Sequence, residues 1–236
     1  MIFREKLDKV KKAMNKIIFD FDYTLLNAKK YRESLGRIFF KTGVSRKNFE
    51  KTLIQAREEG LFYSLKRQIS LIKKVQPEIK IESLKKAWKE IDGEMKKFVY
   101  ADSEEFLKKI GKKYNTFIVS CGNEKTQKHK IYQSGLSKYF KKIFIAKTEE
   151  KSISIRKIIK RSEEAIFIDD NPFILMAAKK SFPNLIAVRI NRGQGRYSKD
   201  KNKYPIDFTI KNFKELEKIL NNENFKNRKE KSSRNH

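Results

Sequence analysis

The stretch "KIIFDFDYTLLN", residues 16–27, places two acids, Asp20 and Asp22, at the end of an apolar run. Short runs of this kind are typical of strands that are buried on both faces of a parallel sheet. Two interpretations of the acids are open at this point. Either they begin a loop that water covers, or they belong to a reaction site at the carboxyl end of the strand.

Residues 100–221 alternate between short apolar runs and helical patterns. The predicted strands after residues 16–20 are 116–120, 142–146, 165–169, 185–190 and 207–210. The predicted helices are 102–113, 124–134, 152–160, 172–181 and 212–221, and Asp102 with Glu105 has the spacing of a capping box that opens the first of them. The sequence therefore predicts an α/β fold with a parallel sheet, whose core comprises residues 14–26 and 100–221.

Residues 27–99 interrupt this alternation with patterns that are helical throughout. Apolar residues recur there at intervals of three and four, as at Phe62, Leu65, Ile69 and Ile72. Four amphipathic helices in about 70 residues predict a small helical bundle. This bundle is expected to be a separate unit, inserted between the first two strands.

The two ends of the chain lie outside the α/β pattern. Residues 1–13 are charged, lack the apolar centre of a secretory signal, and are expected to be an N-terminal extension. Met14 leaves open which methionine is the true start. Residues 222–236 are polar and basic, which predicts a disordered tail.

The composition gives three general expectations. With 57 basic and 29 acidic residues the net charge is +28, which allows nucleic-acid binding, but lysines occur in nearly every segment and favour a solvated basic surface. No apolar run approaches the roughly 18 residues that cross a membrane, so no membrane association is expected. Cys121 is the only cysteine, which fits a reducing cytoplasm. We expect a cytoplasmic monomer or homodimer.

Polar residues follow several of the predicted strands. Because the carboxyl ends of parallel strands meet at one edge of a sheet, these side chains are expected to lie together. The residues at the predicted strand ends and at the start of the helix after the third strand are Asp20, Asp22, Thr24, Ser120, Cys121, Gly122, Lys151, Asp169 and Asp170.

These motifs resemble, in order and spacing, the four signatures of the haloacid dehalogenase superfamily. "DFDYTL" is similar to the first signature, Asp-x-Asp-x-Thr after a strand, and Ser120 is similar to the second. Lys151 resembles the third signature, with Lys147 as the alternative, and "IFIDDNP" the acidic fourth. The resemblance covers residues 15–220 and implies a Rossmann-like core with a helical cap. Tyr23 stands where the family often has glycine.

The resemblance implies a Mg²⁺-dependent phosphatase that forms an aspartyl-phosphate. Asp20 is the expected nucleophile, and Asp22 is expected to donate and then accept a proton. Of the acidic pair, Asp170 is the favoured direct metal ligand, and Asp22 would add its backbone carbonyl. The expected catalytic residues are Asp20, Asp22, Ser120 and Lys151; the substrate-binding residues Thr24, Ser120, Cys121, Gly122 and Lys151; the metal ligands Asp20, Asp22, Asp169 and Asp170.

A helical cap implies a small substrate, because it closes over the site and excludes large molecules. The expected partner is a phosphorylated metabolite such as a sugar phosphate, a phosphoglycolate-like compound or a nucleotide. The acid at Asp22 favours phosphoryl transfer over dehalogenation. Two alternatives stay open: a phosphomutase, and a basic nucleic-acid-associated protein with end-phosphatase activity or none.

Three further features of the sequence are interpreted as not catalytic. Cys121 is expected to be a small buried residue, and His129 to be exposed and inert. The segment "NRGQGRYS", residues 191–198, opens no helix, so it is interpreted as a flexible basic loop and not as a dinucleotide-binding motif.

Overall fold

A computed structural model describes residues 15–58, 62–200 and 206–221. The predicted N-terminal extension, residues 1–13, and the predicted tail, residues 222–236, lie outside the described residues. None of the helices in the described part of the chain is both long and apolar enough to cross a membrane.

The described residues form a six-stranded parallel sheet. Its strands are β1 Lys16–Phe19, β2 Asn115–Cys121, β3 Lys142–Ala146, β4 Ala165–Asp169, β5 Leu185–Ile190 and β6 Phe208–Ile210. They lie in the order β3-β2-β1-β4-β5-β6, and every neighbouring pair is parallel. The predicted α/β fold is therefore confirmed, and β1 occupies the middle of the sheet.

Four helices lie between β1 and β2, as the periodicity predicts. They are α1 Ala28–Lys41, α2 Arg46–Glu58, α3 Leu65–Val75 and α4 Ile81–Gly93, followed by a 3₁₀ turn at Met95–Phe98. The side chain of Asn27 accepts a hydrogen bond from the backbone N–H of Lys30 and so caps α1. Aromatic rings join α1 to α2, with the Phe39 and Phe49 ring centroids 5.9 Å apart. We call residues 27–99 the helical insertion.

The remaining helices belong to the α/β core. They are α5 Ala101–Ile110, α6 Glu124–Gln133, α7 Ser152–Ile155, α8 Pro172–Ser181 and α9 Phe213–Asn221, with a 3₁₀ turn at Ser137–Tyr139. The helix predicted over residues 152–160 is only one turn long. Beyond it the backbone continues in turns to Ile159, whose N–H donates to the carbonyl of Ile155, and the carbonyl of Ile158 accepts a hydrogen bond from Nζ of Lys16.

The predicted capping box at the start of α5 is wrong. The N-cap residue is Tyr100, which makes no side-chain capping bond. Asp102 instead binds Nη1 of Arg192 at 2.9 and 3.1 Å and accepts the backbone N–H of Phe213 at 2.7 Å. A tertiary ion pair has thus replaced the local hydrogen bond that the spacing suggested.

Alternate residues of β1 enter apolar clusters on opposite faces of the sheet. Ile17 and Phe19 belong to one cluster and Ile18 to the other, and all three are fully buried. Phe19 contacts the rings of Phe106 and Phe213 edge-on at 6.3 and 5.9 Å. This packing fixes β1 at both faces, so the residues after it are held at the sheet edge.

Candidate active site

The carboxyl ends of β1, β2 and β4 open into a cavity of about 440 Å³. The α/β core supplies one part of its wall and the helical insertion another. The predicted site residues that line it are Asp20, Asp22, Ser120, Cys121, Gly122, Lys151, Asp169 and Asp170. Four motifs spread over 150 residues therefore meet at one place, as parallel-strand geometry predicts.

Lys151 lies at the electrostatic centre of this cavity. Its Nζ is 2.5 Å from Oδ1 of Asp20 and 2.7 Å from Oδ2 of Asp169, and its side chain is 2% exposed. Burial by itself lowers the pKa of Lys151, but the charges of Asp169 and Asp20 outweigh burial and hold the pKa above its ordinary value. Lys151 is therefore a permanent cation. Lys147, the alternative in the sequence, is exposed and does not line the cavity.

Three carboxylates form a compact cluster beside Lys151. Oxygen atoms of Asp20, Asp169 and Asp170 all lie within 4.8 Å of one another. Burial, followed by the charges of Asp169 and Asp20, raises the pKa of Asp170 to about 9. Burial also raises the pKa of Asp20 to about 7, against the opposing charge of Lys151. Such crowded, buried oxygens suit a hard divalent cation, because it would replace the protons that these carboxyl groups otherwise bind.

Asp169 and Asp170 differ in their contacts. Both carboxylate oxygens of Asp169 accept hydrogen bonds. One accepts from Nζ of Lys151, and the other accepts from the backbone N–H of Asn171 at 2.9 Å. Asp170 makes no hydrogen bond to any residue in the described ranges, and its carboxylate faces the cavity. Asp170 is thus the carboxylate of the pair with free oxygens.

Asp22 points away from this cluster and enters a second network. Its carboxylate lies 2.5 and 2.7 Å from Nζ of Lys130 and accepts Nε2–H of Gln127 at 2.9 Å. The same Nε2 donates to Oγ of Ser120 at 2.9 Å, and Oε1 of Gln127 accepts from Lys130 at 2.9 Å. Two residues of α6 therefore connect the first motif to the second.

Sequence reasoning missed Lys130 and Gln127. Lys130 is one of many lysines on polar helix faces, and its spacing from Ser120 carries no known signature. The close approach of Gln127 depends on Gly122, whose φ is 151°. A Cβ at that position would lie 2.6 Å from Cγ of Gln127. In the sequence, the glycine at position 122 was the feature that could have indicated a side chain close to the backbone at this point.

Tyr23 adopts a backbone conformation that favours glycine. Its φ is 60°, the only positive value at a non-glycine residue among the described residues. This explains physically why glycine suits the position. The ring packs on Gly195, where a Cβ would lie 3.1 Å from Cδ1 of Tyr23.

Residues 191–198 are anchored, contrary to the prediction of a flexible loop. Nε and Nη2 of Arg192 donate to the carbonyl of Thr24 at 3.1 and 3.0 Å, and Nη1 binds Asp102. Arg196 and Tyr197 of this loop line the cavity. The loop therefore forms part of the candidate site.

The structure corrects the prediction for Thr24. This residue is fully buried and does not line the cavity. Its hydroxyl has no hydrogen-bond partner among the described residues, and its carbonyl binds Arg192. Thr24 is placed to hold the loop of residues 191–198, not to contact a substrate.

The structure bears in different ways on the predictions for Cys121 and His129. Sγ of Cys121 donates to the carbonyl of Thr148, and burial raises the pKa of the thiol to about 12, so it is no nucleophile. The prediction that His129 is exposed is wrong, because the residue is half-buried; it does not line the cavity. Its Nε2 lies 2.7 Å from Oδ1 of Asp92, and its ring stacks obliquely on Trp88 at 5.3 Å. His129 thus joins α6 of the core to α4 of the insertion.

The chain belongs to the family of haloacid dehalogenase-like hydrolases. The model of that family matches residues 17–188, which include all four motifs. The membership defines the protein as a hydrolase. A comparison with curated protein sequences found no match.

Solved structures share this fold at low sequence identity. A haloacid dehalogenase-like hydrolase from Burkholderia xenovorans LB400 is 22% identical, with a TM-score of 0.66 over 85% of this chain and 94% of that one. The HAD-hydrolase YfnB from Bacillus subtilis, solved with magnesium, is 19% identical, with a TM-score of 0.60 over 89% and 99%. A Clostridium difficile protein described as a phosphatase is 15% identical, with a TM-score of 0.57 over 88% and 98%. Dehalogenases also match, so the fold alone does not choose the reaction.

Proposed function

We propose that the protein is a Mg²⁺-dependent phosphatase that hydrolyses a small phosphorylated metabolite through an aspartyl-phosphate on Asp20. The observation that carries the proposal is the buried contact of Lys151 with Asp20 and Asp169, at 2.5 and 2.7 Å. A carboxylate that attacks an anionic phosphate monoester needs a fixed cation beside it, because the two charges otherwise repel.

The residues of the first motif account for the two chemical steps. In the first step, an oxygen of Asp20 bonds to phosphorus, the ester bond breaks, and Asp22 gives a proton to the leaving oxygen. In the second step, Asp22 takes a proton from the water that attacks the aspartyl-phosphate. Phosphate leaves and Asp20 is restored. Lys130 and Gln127 bind the carboxylate of Asp22 and would hold it in place for both proton transfers.

The phosphoryl oxygens would bind Ser120 and Lys151, the residues of the second and third motifs, which line the cavity with Asp20. The hydroxyl of Ser120 is positioned by Gln127 at 2.9 Å. Mg²⁺ would be held by Asp20 and Asp170, with Asp169 and the backbone carbonyl of Asp22 beside them, and it supplies charge neutralisation when bound. The free oxygens of Asp170 support its role as the direct ligand of the acidic pair.

The presence of Asp22 supports phosphoryl transfer over dehalogenation. A halide leaving group needs no proton, whereas an alkoxide leaving group does. The cavity volume of about 440 Å³ supports a small substrate over a nucleic acid.

The proposal is tested by phosphate release from an aryl phosphate and from a panel of phosphorylated metabolites, with Mg²⁺ and with a chelator. We expect Mg²⁺-dependent release that is lost in Asp20→Asn and in Lys151→Met. Lys147→Met is the matched control, because Lys147 is exposed and outside the cavity. Unchanged release in Asp20→Asn, or none from folded wild-type protein across the panel, would refute the proposal. Transfer of the phosphoryl group to another substrate hydroxyl would identify a phosphomutase.

A further inference from the structure

Three arginines, as well as the acidic cluster, line the cavity. Arg32 lies on α1, Arg57 lies on α2, and Arg196 lies in the loop of residues 191–198. The chain has 13 arginines and 44 lysines. Among the residues that the structure describes, three arginines line this cavity, and the lysines that line it are Lys130 and Lys151. The arginines are therefore concentrated at the cavity, which the general basic character of the chain does not explain.

The two kinds of cation also differ in their partners. Lys130 and Lys151 both form ion pairs with acids of the site. Within the described ranges, no carboxylate lies within 4.0 Å of the guanidinium of Arg32, Arg57 or Arg196, although Glu149 also lines the cavity. Arg32 is half-buried and so has lost part of its hydration without gaining an ion pair. Its donors are available to a ligand.

Arg32 and Arg57 lie on two helices of the helical insertion, which supplies the part of the cavity wall outside the α/β core. Tyr23, Arg32 and Arg57 line the same cavity. Burial raises the pKa of Tyr23, the charges of both arginines act to lower it, and those of Asp22 and Asp170 act to raise it. Tyr23 directly follows Asp22, the residue that is proposed to protonate the leaving oxygen. In an in-line displacement the leaving group departs on the side opposite Asp20. Asp20 belongs to the core, so a leaving group that departs away from it is taken to extend toward the helical insertion.

We infer that the substrate carries a second anionic group, a carboxylate or a second phosphate, on its leaving group, and that Arg32 and Arg57 bind it. The planar guanidinium matches both anions through paired N–H donors, which the ammonium of lysine does not. Tyr23, Tyr63 and Phe62 line the space between the two charged ends. The inference rests on the proposed function, since it assigns the phosphoryl group to the acidic end of the cavity.

The test is a binding measurement that needs no turnover. Two phosphonates of equal length are compared by calorimetry in the presence of Mg²⁺: 3-phosphonopropionate, which has a carboxylate at its far end, and propylphosphonate, which does not. We expect wild-type protein to bind the carboxylated compound at least about tenfold more tightly. In Arg32→Gln and Arg57→Gln the ratio of the two dissociation constants should fall toward one.

Arg37→Gln is the matched control. Arg37 lies on α1 like Arg32, but it is exposed, binds Ser34 and is not part of the cavity wall. It should keep the wild-type preference. Equal binding of both phosphonates by wild-type protein, or an equal loss in Arg37→Gln, would overturn the second-anion site alone. Failure of both compounds to bind would overturn the site and the proposed function together.

Discussion

Replacement of Lys151 by methionine removes the cation at the centre of the cavity and leaves its volume nearly unchanged. The side chain is 2% exposed and makes two contacts with carboxylates, at 2.5 and 2.7 Å. A hydrogen bond to a charged group contributes about 1.5–3 kcal/mol. Loss of one partner from a buried ion pair costs about 3–5 kcal/mol, because the other charge stays buried without compensation. We expect Lys151→Met to lower the free energy of unfolding by about 3–5 kcal/mol at pH 8 without Mg²⁺.

The loss should be smaller at pH 5.5. Burial raises the pKa of Asp20 to about 7, so this carboxyl group takes up a proton well above the ordinary range. A protonated Asp20 needs no neighbouring cation, and the penalty of removing Lys151 falls accordingly. Addition of Mg²⁺ at pH 8 should restore part of the lost stability, since the added cation compensates the same carboxylates.

Urea unfolding followed by circular dichroism, at both pH values, measures these differences. Lys147→Met is the control and should stay within about 0.5 kcal/mol of wild type, as surface substitutions usually do. If Lys151→Met at pH 8 were as stable as this control, Lys151 would not lie buried between Asp20 and Asp169. A greater loss at pH 5.5 than at pH 8 would contradict the electrostatic explanation.

Three further predictions concern neighbouring residues. Without Mg²⁺, raising the pH from 6 to 8 should lower the free energy of unfolding by about 4 kcal/mol. The folded-state pKa values of Asp170 and Asp20 are about 9 and about 7 against an ordinary 3.8, so at pH 6 only the folded state holds these protons. Urea titrations with saturating Mg²⁺ should not show this slope. Lys130→Met should lower kcat for phosphate release about tenfold, because it releases the carboxylate of Asp22. Lys128→Met is the control and should keep the wild-type kcat, since Lys128 contacts Glu124 on the surface. Equal kcat values for the two variants would refute the role of Lys130. Gly122→Ala should lower the melting temperature more than Gly193→Ala. Both glycines have a positive φ, but of the two only Gly122 would bring its Cβ to 2.6 Å from another side chain. Equal losses would mean that backbone strain by itself explains the destabilisation.

The strands and the position of the site were predictable from local patterns. Apolar runs such as residues 165–169 and 185–190 can be buried on both faces only in a covered parallel sheet, and the structure has strands with those bounds. Polar residues at the ends of such strands must share one edge. For that reason Asp20, Ser120 and Asp169 could be placed together although they are far apart in the chain.

Side-chain contacts between distant elements were not predictable. Asp102 follows the local spacing of a capping box, yet it binds Arg192, 90 residues away. Thr24 has the spacing of a site residue, yet it is buried beneath the loop of residues 191–198. In each case a buried charge or carbonyl had to be paired, and the partner that satisfies it lies on another element.

The sequence by itself therefore determined the α/β fold, the helical insertion and the edge of the sheet where the acids gather, because these follow from hydrophobic period and strand direction. Only the tertiary structure decided that Lys130 and Gln127 hold Asp22, and that Arg32 and Arg57 line the cavity. Lysines and arginines occupy the same polar positions of amphipathic helices. The periodicity of the sequence shows only that these positions lie on the polar side of the helix. Which of them faces a cavity depends on how the helices pack, and packing is a property of the whole chain.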